Sequence, residues 1–151
     1  MYFASIGKVS EEFNAAIVDV ALGTDIVETA RIEHLVRRFG DVFLRKIFNG
    51  DEIAYCMKMA NPAMGFAARF ATKEAFSKAM GTGIGRHIGW KDVSVGKKSS
   101  GEPFIALSER AAATLKARGY SAAKVSIAHT KTLAHAVVVL IKLCDVPGAS
   151  R

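Results

Sequence analysis

A carboxylate and several cations lie close together in the segment Arg69–Gly85 of this 151-residue chain. On a helix, Glu74 and Lys78 lie one turn apart on the same face, and that stripe continues backward through Ala71 and Ala67, whose small side chains leave room for a ligand. Such a pair can serve a phosphate or a metal ion. It can also be a surface ion pair worth about 0.3 kcal/mol, and the local pattern leaves both interpretations open.

Five residues with three glycines, Gly81-Thr82-Gly83-Ile84-Gly85, follow this segment. Their backbone N–H groups could hold phosphate, but the loop follows a helical segment instead of preceding one. It matches neither the dinucleotide-binding motif nor the P-loop. The alternative is a helix C-cap followed by a turn.

Asp25 stands near the end of an apolar segment, Ile17 to Val27, that is typical of a buried strand. A lone carboxylate there costs several kcal/mol unless it is paired, hydrogen-bonded or bound to metal. Asp25 is therefore a candidate metal ligand. An N-cap of the following helix is an equally good explanation.

Two histidines follow or interrupt apolar segments near the end of the chain. His129 comes directly after a predicted strand, where a side chain can emerge toward a ligand, although a turn histidine without a role is an equal alternative. His135 lies inside an apolar run and is expected to be an ordinary sheet residue. Neither belongs to a Ser-His-Asp or zinc-ligand set, which disfavours hydrolase and metalloprotease functions.

The periodicity around these residues predicts helices and strands in alternation. The segment Glu28 to Phe39 predicts an amphipathic helix ending at Gly40, with Arg31, His34 and Arg38 on one face. Asn61 and Pro62 begin a long helix that Gly81 stops. The remaining predictions are a hairpin of 92–97 with 103–107, a helix from the cap Ser108 to Arg118, and an antiparallel pair of 124–128 with 133–142.

The composition indicates one domain that binds something anionic. The formal net charge is +7 and half of the residues are hydrophobic, which suits a phosphorylated molecule, an acidic protein, a membrane surface or nucleic acid. Cys56 and Cys144 lack metal-ligand spacing, so a reducing cytoplasm is expected. No apolar run approaches the ~20 residues of a membrane span, and residues 1–16 lack the pattern of a signal peptide.

Three motifs in this order resemble the holo-acyl-carrier-protein synthase family of phosphopantetheinyl transferases. They are Gly23-Thr24-Asp25-Ile26-Val27-Glu28, then Ala71-Thr72-Lys73-Glu74-Ala75-Phe76-Ser77-Lys78-Ala79 with the glycine loop, and Ser126-Ile127-Ala128-His129. The resemblance spans roughly Val20 to Lys142. Two departures, Thr72 and Ala128, stand where family members often have Ala and Ser or Thr, and they spare the ligands that the family implies.

The resemblance implies an α+β fold in which an antiparallel sheet packs against the long central helix, and a homotrimer with active sites at subunit interfaces. It implies that Asp25 and Glu74 bind Mg²⁺ beside the pyrophosphate of coenzyme A. Lys78 would contact the phosphates and would be catalytic together with the two acids. The residues expected to line the coenzyme site, some from a neighbouring subunit, are Arg69, Ser77, Lys78, Gly81, Gly83, Pro103, His129 and Thr130.

The implied reaction transfers 4′-phosphopantetheine from coenzyme A to a serine of apo-acyl carrier protein and releases adenosine 3′,5′-bisphosphate, as in fatty acid biosynthesis. Either Glu74 or a water on the metal takes the serine proton. The family also implies that the helix carrying Arg31, Leu35 and Arg38 docks the acidic carrier protein. A solvated basic face is the alternative.

Family members begin only a few residues before the Gly-Thr-Asp motif, so residues 1–16 are expected to be an extension, disordered or a short helix. The transferase domain then covers 17–143 and a loose tail covers 144–151. One rival function is a small basic domain that binds RNA or DNA, although the aromatic residues mostly follow helical core spacing instead of forming a stacking platform. Another is a transferase with a broader choice of carriers.

Overall fold

The structure, a computed structural model, describes residues 15–145. The elements are β1 (Ala15–Glu28), α1 (Thr29–Ile47), α2 (Gly50–Met57), α3 (Pro62–Ala79), β2 (Val93–Lys97), β3 (Pro103–Leu107), α4 (Glu109–Ala117), β4 (Ala122–His129) and β5 (Leu133–Asp145). The ends of β1 and β5 take up the last two residues of the predicted extension and the first two of the predicted tail. Residues 1–14 and 146–151 lie outside the described part, so these boundaries stay predictions.

The strands form two antiparallel sheets, and α3 packs against the larger one. That sheet has the order β1-β5-β4, while β2 and β3 form a separate hairpin. In the larger sheet Asp25 and Ile127 both pair with Ala136, so they share one row and one face. This confirms the expected α+β fold with an antiparallel sheet packed against the long helix.

Local signals at both ends fix the bounds of α3. At its start Asn61 Oδ1 accepts a hydrogen bond from the Met64 N–H at 3.3 Å, with Pro62 in the first turn. At its end Gly81 has a φ of 67°, the Gly81 N–H donates to Lys78 O at 2.9 Å, and the Thr82 N–H donates to Ser77 O at 3.1 Å. These two bonds form a Schellman cap, so the prediction of a helix stop at Gly81 is confirmed.

The core forms around α3, most of which is buried on all sides. Ala71 and Ala75 are fully buried, and the short side chains let neighbouring backbones approach the helix closely. The opposite side packs against α1 and α2, where the Phe48 and Phe66 rings lie 4.9 Å apart. The helix is thus enclosed, and each of its faces contacts a different element of the fold.

The predicted helix stop at Gly40 agrees with the backbone, which leaves helical geometry there with a φ of 50° and a ψ of −133°. A second helical segment of α1, which was not predicted, follows directly and buries Leu44 and Ile47. Helix α2 was not predicted at all. It begins after Asn49, whose N–H donates to the Glu52 carboxylate at 3.0 Å, an arrangement that satisfies one of the unpaired donors at a helix start.

The sheet face that points away from α3 is uncovered. Side chains along β1 are strongly exposed there although they are apolar, with Leu22 at 66% and Ile26 at 62%. The same face carries a hydrogen bond of 2.7 Å between Thr24 Oγ1 and His135 Nε2, and His135 is a sheet residue as predicted. No helix in the described residues is long and apolar enough to cross a membrane.

Candidate active site

Close packing of β1 on α3 places Asp25 beside Lys78. At Gly23 the strand backbone lies against the helix backbone: a Cβ added there would stand 2.5 Å from the Ala79 nitrogen and closer still to the Ala75 carbonyl oxygen. Two residues later on the same face, Asp25 Oδ1 accepts a hydrogen bond from Lys78 Nζ at 2.7 Å. The absent glycine side chain is therefore the reason that the acid and the amine meet.

Asp25 is not the N-cap of α1. It lies inside β1, and the residue that precedes the helix is Glu28, whose side chain makes no capping hydrogen bond. The carboxylate is instead paired with Lys78, whose ammonium also donates to the Thr24 carbonyl at 3.0 Å. Of the two explanations left open by the sequence, the N-cap is wrong.

Glu74 lies on the same face of α3 as Lys78, and the charge of Asp25 acts on its carboxyl group. Burial raises the pKa of Glu74, the Asp25 carboxylate raises it further, and the cations Lys78 and Arg31 oppose the shift. Within the described residues Glu74 makes no ion pair with Lys78 within 4.0 Å, so the simple surface pair allowed by the sequence does not form. Two neighbouring carboxylates that repel each other form the candidate centre.

This donor set fits a hard divalent cation that completes its coordination elsewhere. Mg²⁺ typically takes one or two carboxylates and fills its other positions with substrate phosphate and water. In residues 15–145 no group of three or more His, Cys, Asp and Glu side chains could hold a metal ion. Asp25 and Glu74 therefore suit a cation that arrives with a phosphorylated substrate better than a cage formed by protein alone.

Lys73, the neighbour of Glu74 in the chain, serves a different purpose. Its side chain is fully buried, and the ammonium donates to Glu52 Oε2 at 2.8 Å and to the Trp90 and Val93 carbonyls. Burial lowers the pKa of Lys73, while the Glu52 carboxylate opposes the shift. With all three donors used, this lysine ties α2 and β2 to α3 and does not face the candidate centre.

A cavity of about 240 Å³ brings together three other predicted residues, Arg69, Pro103 and His129. Its walls also include Tyr55 and Lys97, which the sequence reasoning missed. Tyr55 belongs to the unpredicted helix α2, and Lys97 ends a predicted strand without any distinguishing spacing. Only the fold shows that both face the same space as Arg69.

The hydrogen bonds of the remaining predicted coenzyme residues are mostly satisfied within the chain. Ser77 is fully buried, and its hydroxyl donates to Glu74 O at 2.9 Å. The N–H groups of Gly81 and Gly83 donate to carbonyls at the end of α3. Thr130 Oγ1 accepts hydrogen bonds from the N–H groups of Thr132 and Leu133. Because the N–H groups of the two glycines are already bonded, a ligand could approach there only because glycine has no side chain.

The predicted residues form two separate groups in one chain. Arg69 and Lys78 are nine residues apart on α3, which corresponds to about 13 Å along the axis and about half a turn around it. Asp25 and His129 lie on the two outer strands of a three-stranded sheet, and two strand spacings correspond to about 10 Å. One chain thus places the carboxylate centre and the cavity on different sides of α3.

A basic helix face borders the carboxylates. Arg31, His34 and Arg38 are exposed on α1, and Leu35 between them is half-buried. Arg31 is near enough to Glu74 to oppose the rise in the pKa of that carboxyl group. The predicted docking helix therefore lies beside the candidate centre and offers positive charge to solvent.

Comparisons with known proteins point to one family. Residues 21–138 match the model of the 4′-phosphopantetheinyl transferase superfamily. A holo-[acyl-carrier-protein] synthase from Syntrophus aciditrophicus is 42% identical over 123 residues, which cover 82% of this chain and 96% of the relative. One from Chlamydia caviae is 43% identical over 120 residues, which cover 80% of this chain and 95% of the relative.

Solved structures give the same result. The holo-[acyl-carrier-protein] synthase of Neisseria meningitidis aligns with a TM-score of 0.75 and 32% identity over 80% of this chain and 96% of that one. The Helicobacter pylori enzyme, solved in complex with coenzyme A, aligns with a TM-score of 0.71 and 35% identity. The alignment covers 79% of this chain and 98% of that one. The chain belongs to the holo-[acyl-carrier-protein] synthase family of 4′-phosphopantetheinyl transferases.

Proposed function

We propose that this protein transfers 4′-phosphopantetheine from coenzyme A to a serine of an acidic apo-acyl carrier protein and releases adenosine 3′,5′-bisphosphate, as in fatty acid biosynthesis. The observation that carries the proposal is the convergence of Asp25 from β1 with Glu74 and Lys78 from α3. Carboxylates for a cation and an amine for phosphate oxygens are the groups that phosphoryl transfer needs. The matching relatives bear the name of this activity.

In the proposed reaction the serine oxygen forms a bond to the phosphorus that carries the pantetheine arm, and the bond from that phosphorus to the bridging oxygen breaks. Lys78 donates a hydrogen bond to the phosphate oxygens on which charge increases, because its flexible ammonium is half exposed beside Asp25. The serine proton passes to Glu74 or to water, and the bridging oxygen leaves with the adenosine bisphosphate.

Asp25 and Glu74 would together hold Mg²⁺. When bound, the cation supplies charge neutralisation on the pyrophosphate, a role that positions substrate and lowers the barrier without covalent chemistry. The raised pKa of Glu74 supports this assignment, because burial and the repulsion between the two carboxylates are what a nearby cation relieves.

The test is to incubate the protein with Mg²⁺, coenzyme A and apo-acyl carrier protein, and to follow addition of the arm by mass spectrometry. Asp25→Asn and Glu74→Gln should each lower kcat by at least about 100-fold, the usual cost of losing a preorganised electrostatic group. Asp19→Asn is the matched control, since this exposed acid lies on the same strand and, among residues 15–145, accepts a hydrogen bond from the Val20 N–H alone. Transfer by both site variants at the wild-type rate would refute the assignment.

We further propose that three copies associate through the uncovered face of the sheet. An exposed apolar area of this kind is typical of an interaction surface, and Leu22 and Ile26 are among its most exposed members. His129 and Thr130 lie at the edge of this face, where they line a second opening with Ile26 and His135. A neighbouring copy on this face would therefore bring its own groups close to them.

Mixing experiments test whether sites are shared between copies. Asp25→Asn and His129→Ala remove groups from different halves of the proposed site, so each variant alone should be inactive. Mixed after dissociation and reassembly, they should regain about a quarter of the wild-type activity, because random assembly gives that share of intact sites. No recovery from a mixture that light scattering shows to be trimeric would contradict the shared site.

The basic face of α1 is the proposed docking surface for the carrier protein. The charges of Arg31 and Arg38 complement an acidic partner, and such complementarity mainly raises the association rate. The double variant Arg31→Glu, Arg38→Glu should raise KM for the carrier while coenzyme A binding is retained. Arg45→Glu is the control, because Arg45 is exposed on the same helix but pairs with Asp41.

A cytoplasmic location is proposed with this function. Cys56 and Cys144 are both free thiols, which suits a reducing compartment. Oxidative crosslinking found in protein purified from cells under thiol-blocking conditions would argue against it.

A further inference from the structure

The end of α3 that carries Lys78 is electrostatically the wrong helix end for a phosphate. Lys78 lies in the last turn of this helix, and the glycine loop follows directly. The last carbonyl groups of a helix carry partial negative charge, which favours cations and disfavours anions. The proposed function, on which this inference rests, nevertheless brings the pyrophosphate of coenzyme A to Lys78. A phosphate site at this place therefore needs a cation that offsets the carbonyl groups.

Lys78 does not supply that charge to the helix end. It is the basic residue of the last turn of α3, but its ammonium is directed to β1, where it donates to Asp25 Oδ1 at 2.7 Å and to the Thr24 carbonyl at 3.0 Å. The hydrogen bonds that the glycine loop makes back to α3 come from backbone N–H groups and bring no net charge. The positive charge at the end of α3 has to come from another element.

Arg118 provides a cation at this place from the end of α4. Its Nη1 donates a hydrogen bond to the carbonyl oxygen of Met80, the C-cap residue of α3. The same nitrogen would lie 3.6 Å from a Cβ added at Gly81, so the guanidinium also borders the start of the glycine loop. Among residues 15–145, no Asp or Glu side chain forms an ion pair with Arg118. Its charge is therefore available to the carbonyl groups of α3.

The fold fixes the backbone of Arg118 on both sides. Arg118 is the C-cap residue of α4, and the two N–H groups that follow it donate to carbonyls of α4 at 2.8 and 3.2 Å. These bonds form a Schellman cap, in which Gly119 has a φ of 84°. The next N–H group along the chain, of Ser121, donates to Ile141 O in β5 at 2.7 Å. The long side chain thus extends from a well-anchored corner to the end of α3.

We propose that Arg118 is a positioning residue that neutralises the carbonyl end of α3, so that the pyrophosphate can bind beside Lys78 and the glycine loop. The guanidinium acts through the Met80 carbonyl and does not touch the coenzyme. Because two helix ends meet at Arg118, a single cation offsets the negative ends of both α3 and α4. This role depends on charge, whereas a purely structural bond to Met80 would need only a hydrogen-bond donor.

Calorimetry of coenzyme A binding to charge variants tests this proposal. Arg118→Gln keeps a hydrogen-bond donor but loses the charge, and it should weaken binding of coenzyme A about fivefold, the size of a charge interaction at a helix end. Arg118→Lys keeps the charge and should bind nearly as tightly as the wild type. Lys116→Gln is the matched control, because it removes an exposed charge from the same last turn of α4; it should leave binding unchanged.

Transfer kinetics and urea denaturation on the same preparations separate this role from a structural one. Because Arg118 is exposed, we expect its variants to stay folded, and the loss in Arg118→Gln to appear in KM for coenzyme A while kcat is retained. High salt should shrink the difference from the wild type, since it screens such charges. Unchanged binding in Arg118→Gln, or equal losses in Arg118→Gln and Arg118→Lys, would overturn the proposal.

The binding measurement needs no transfer, so it also separates this inference from the proposed function. If Arg118→Gln weakens coenzyme binding as expected in a protein that transfers nothing, the proposed function fails and the role of Arg118 stands. If the wild type transfers the arm and Arg118→Gln binds coenzyme A equally well, the role of Arg118 fails and the proposed function stands.

Discussion

Replacing Gly23 by alanine should separate β1 from α3 and displace Asp25, the proposed catalytic acid. The added Cβ would lie 2.5 Å from the Ala79 nitrogen and closer to the Ala75 carbonyl oxygen. Ordinary contact begins near 3.4 Å, so the strand must move by at least about 1 Å. Both obstructing atoms belong to helix backbone and cannot rotate aside as a side chain would.

This movement would affect stability and transfer in different proportions. Overpacking of this kind usually costs about 1–3 kcal/mol of unfolding free energy. Asp25 follows two residues later on the same face, where its bond to Lys78 measures 2.7 Å. A misplacement of about 1 Å can lower a rate about 100-fold, so we expect kcat to fall by about that factor in protein that is still folded.

Urea denaturation and steady-state transfer kinetics on the same preparations measure both effects. Gly50→Ala is the control, because a Cβ at Gly50 meets nothing within 4 Å; it should keep wild-type kcat and be equally or slightly more stable. A Gly23→Ala protein with wild-type stability and a kcat within twofold of the wild type would show that the close approach does not position Asp25.

Three further predictions concern buried polar groups away from the site. Glu52→Gln leaves the fully buried ammonium of Lys73 without its counter-charge, so it should cost about 3 kcal/mol in urea denaturation; a cost below about 1 kcal/mol would refute the role of that pair. Asp92 is also mostly buried; burial opposes its charge, but hydrogen bonds from Arg110, the Gly89 N–H and Ser108 prevail and hold its pKa below the usual range. Its contribution to stability is therefore present above the unfolded pKa and lost as pH falls through the folded one, so the stability difference between wild type and Asp92→Asn should shrink on acidification; a difference independent of pH would contradict this. Burial raises the pKa of the Cys56 thiol to about 11, so a thiol reagent at pH 8 should label the exposed Cys144 first; equal rates measured by mass spectrometry would contradict the burial of Cys56.

Elements with local signals were predictable from sequence. The long helix α3 begins at an Asn-Pro pair and ends at Gly81, and both ends are fixed by hydrogen bonds within a few residues of the boundary. The hairpin of β2 and β3 likewise follows from a short polar turn between two apolar segments. In these cases the chain near the boundary contains all of the chemistry that decides it.

The omissions arose where distant packing or a weak signal decides the structure. Gly40 ends the first helical segment of α1 as predicted, in a conformation that glycine tolerates, but the second segment, which buries Leu44 and Ile47, was not predicted. Helix α2 has a recognisable start, since Asn49 and Glu52 have the spacing of a capping box. A signal for the start of this helix is therefore present in the sequence.

Side-chain roles within one motif were harder to predict than the motif itself. Lys73 and Lys78 both flank Glu74 in sequence, yet only Lys78 reaches Asp25, while Lys73 is buried against Glu52. Nothing local separates them, because each partner comes from an element more than 20 residues away. The same holds for Arg69, whose neighbour Tyr55 lies on a helix that the sequence reasoning did not identify.

The arrangement of α3 would link the proposed catalysis to the proposed assembly. One side of the helix carries Glu74 and Lys78 toward β1, and the opposite side carries Arg69 into the cavity. If coenzyme A uses both groups of residues as proposed, it cannot reach them across a helix that is packed on all sides, so a single copy would hold two half-sites instead of one complete site. If the uncovered sheet face joins copies as proposed, the carboxylates of one copy can meet the cavity of the next. The exposed apolar face would then be required for the reaction as well as for association, which is why a substitution there should lower transfer without changing any group that touches the substrate.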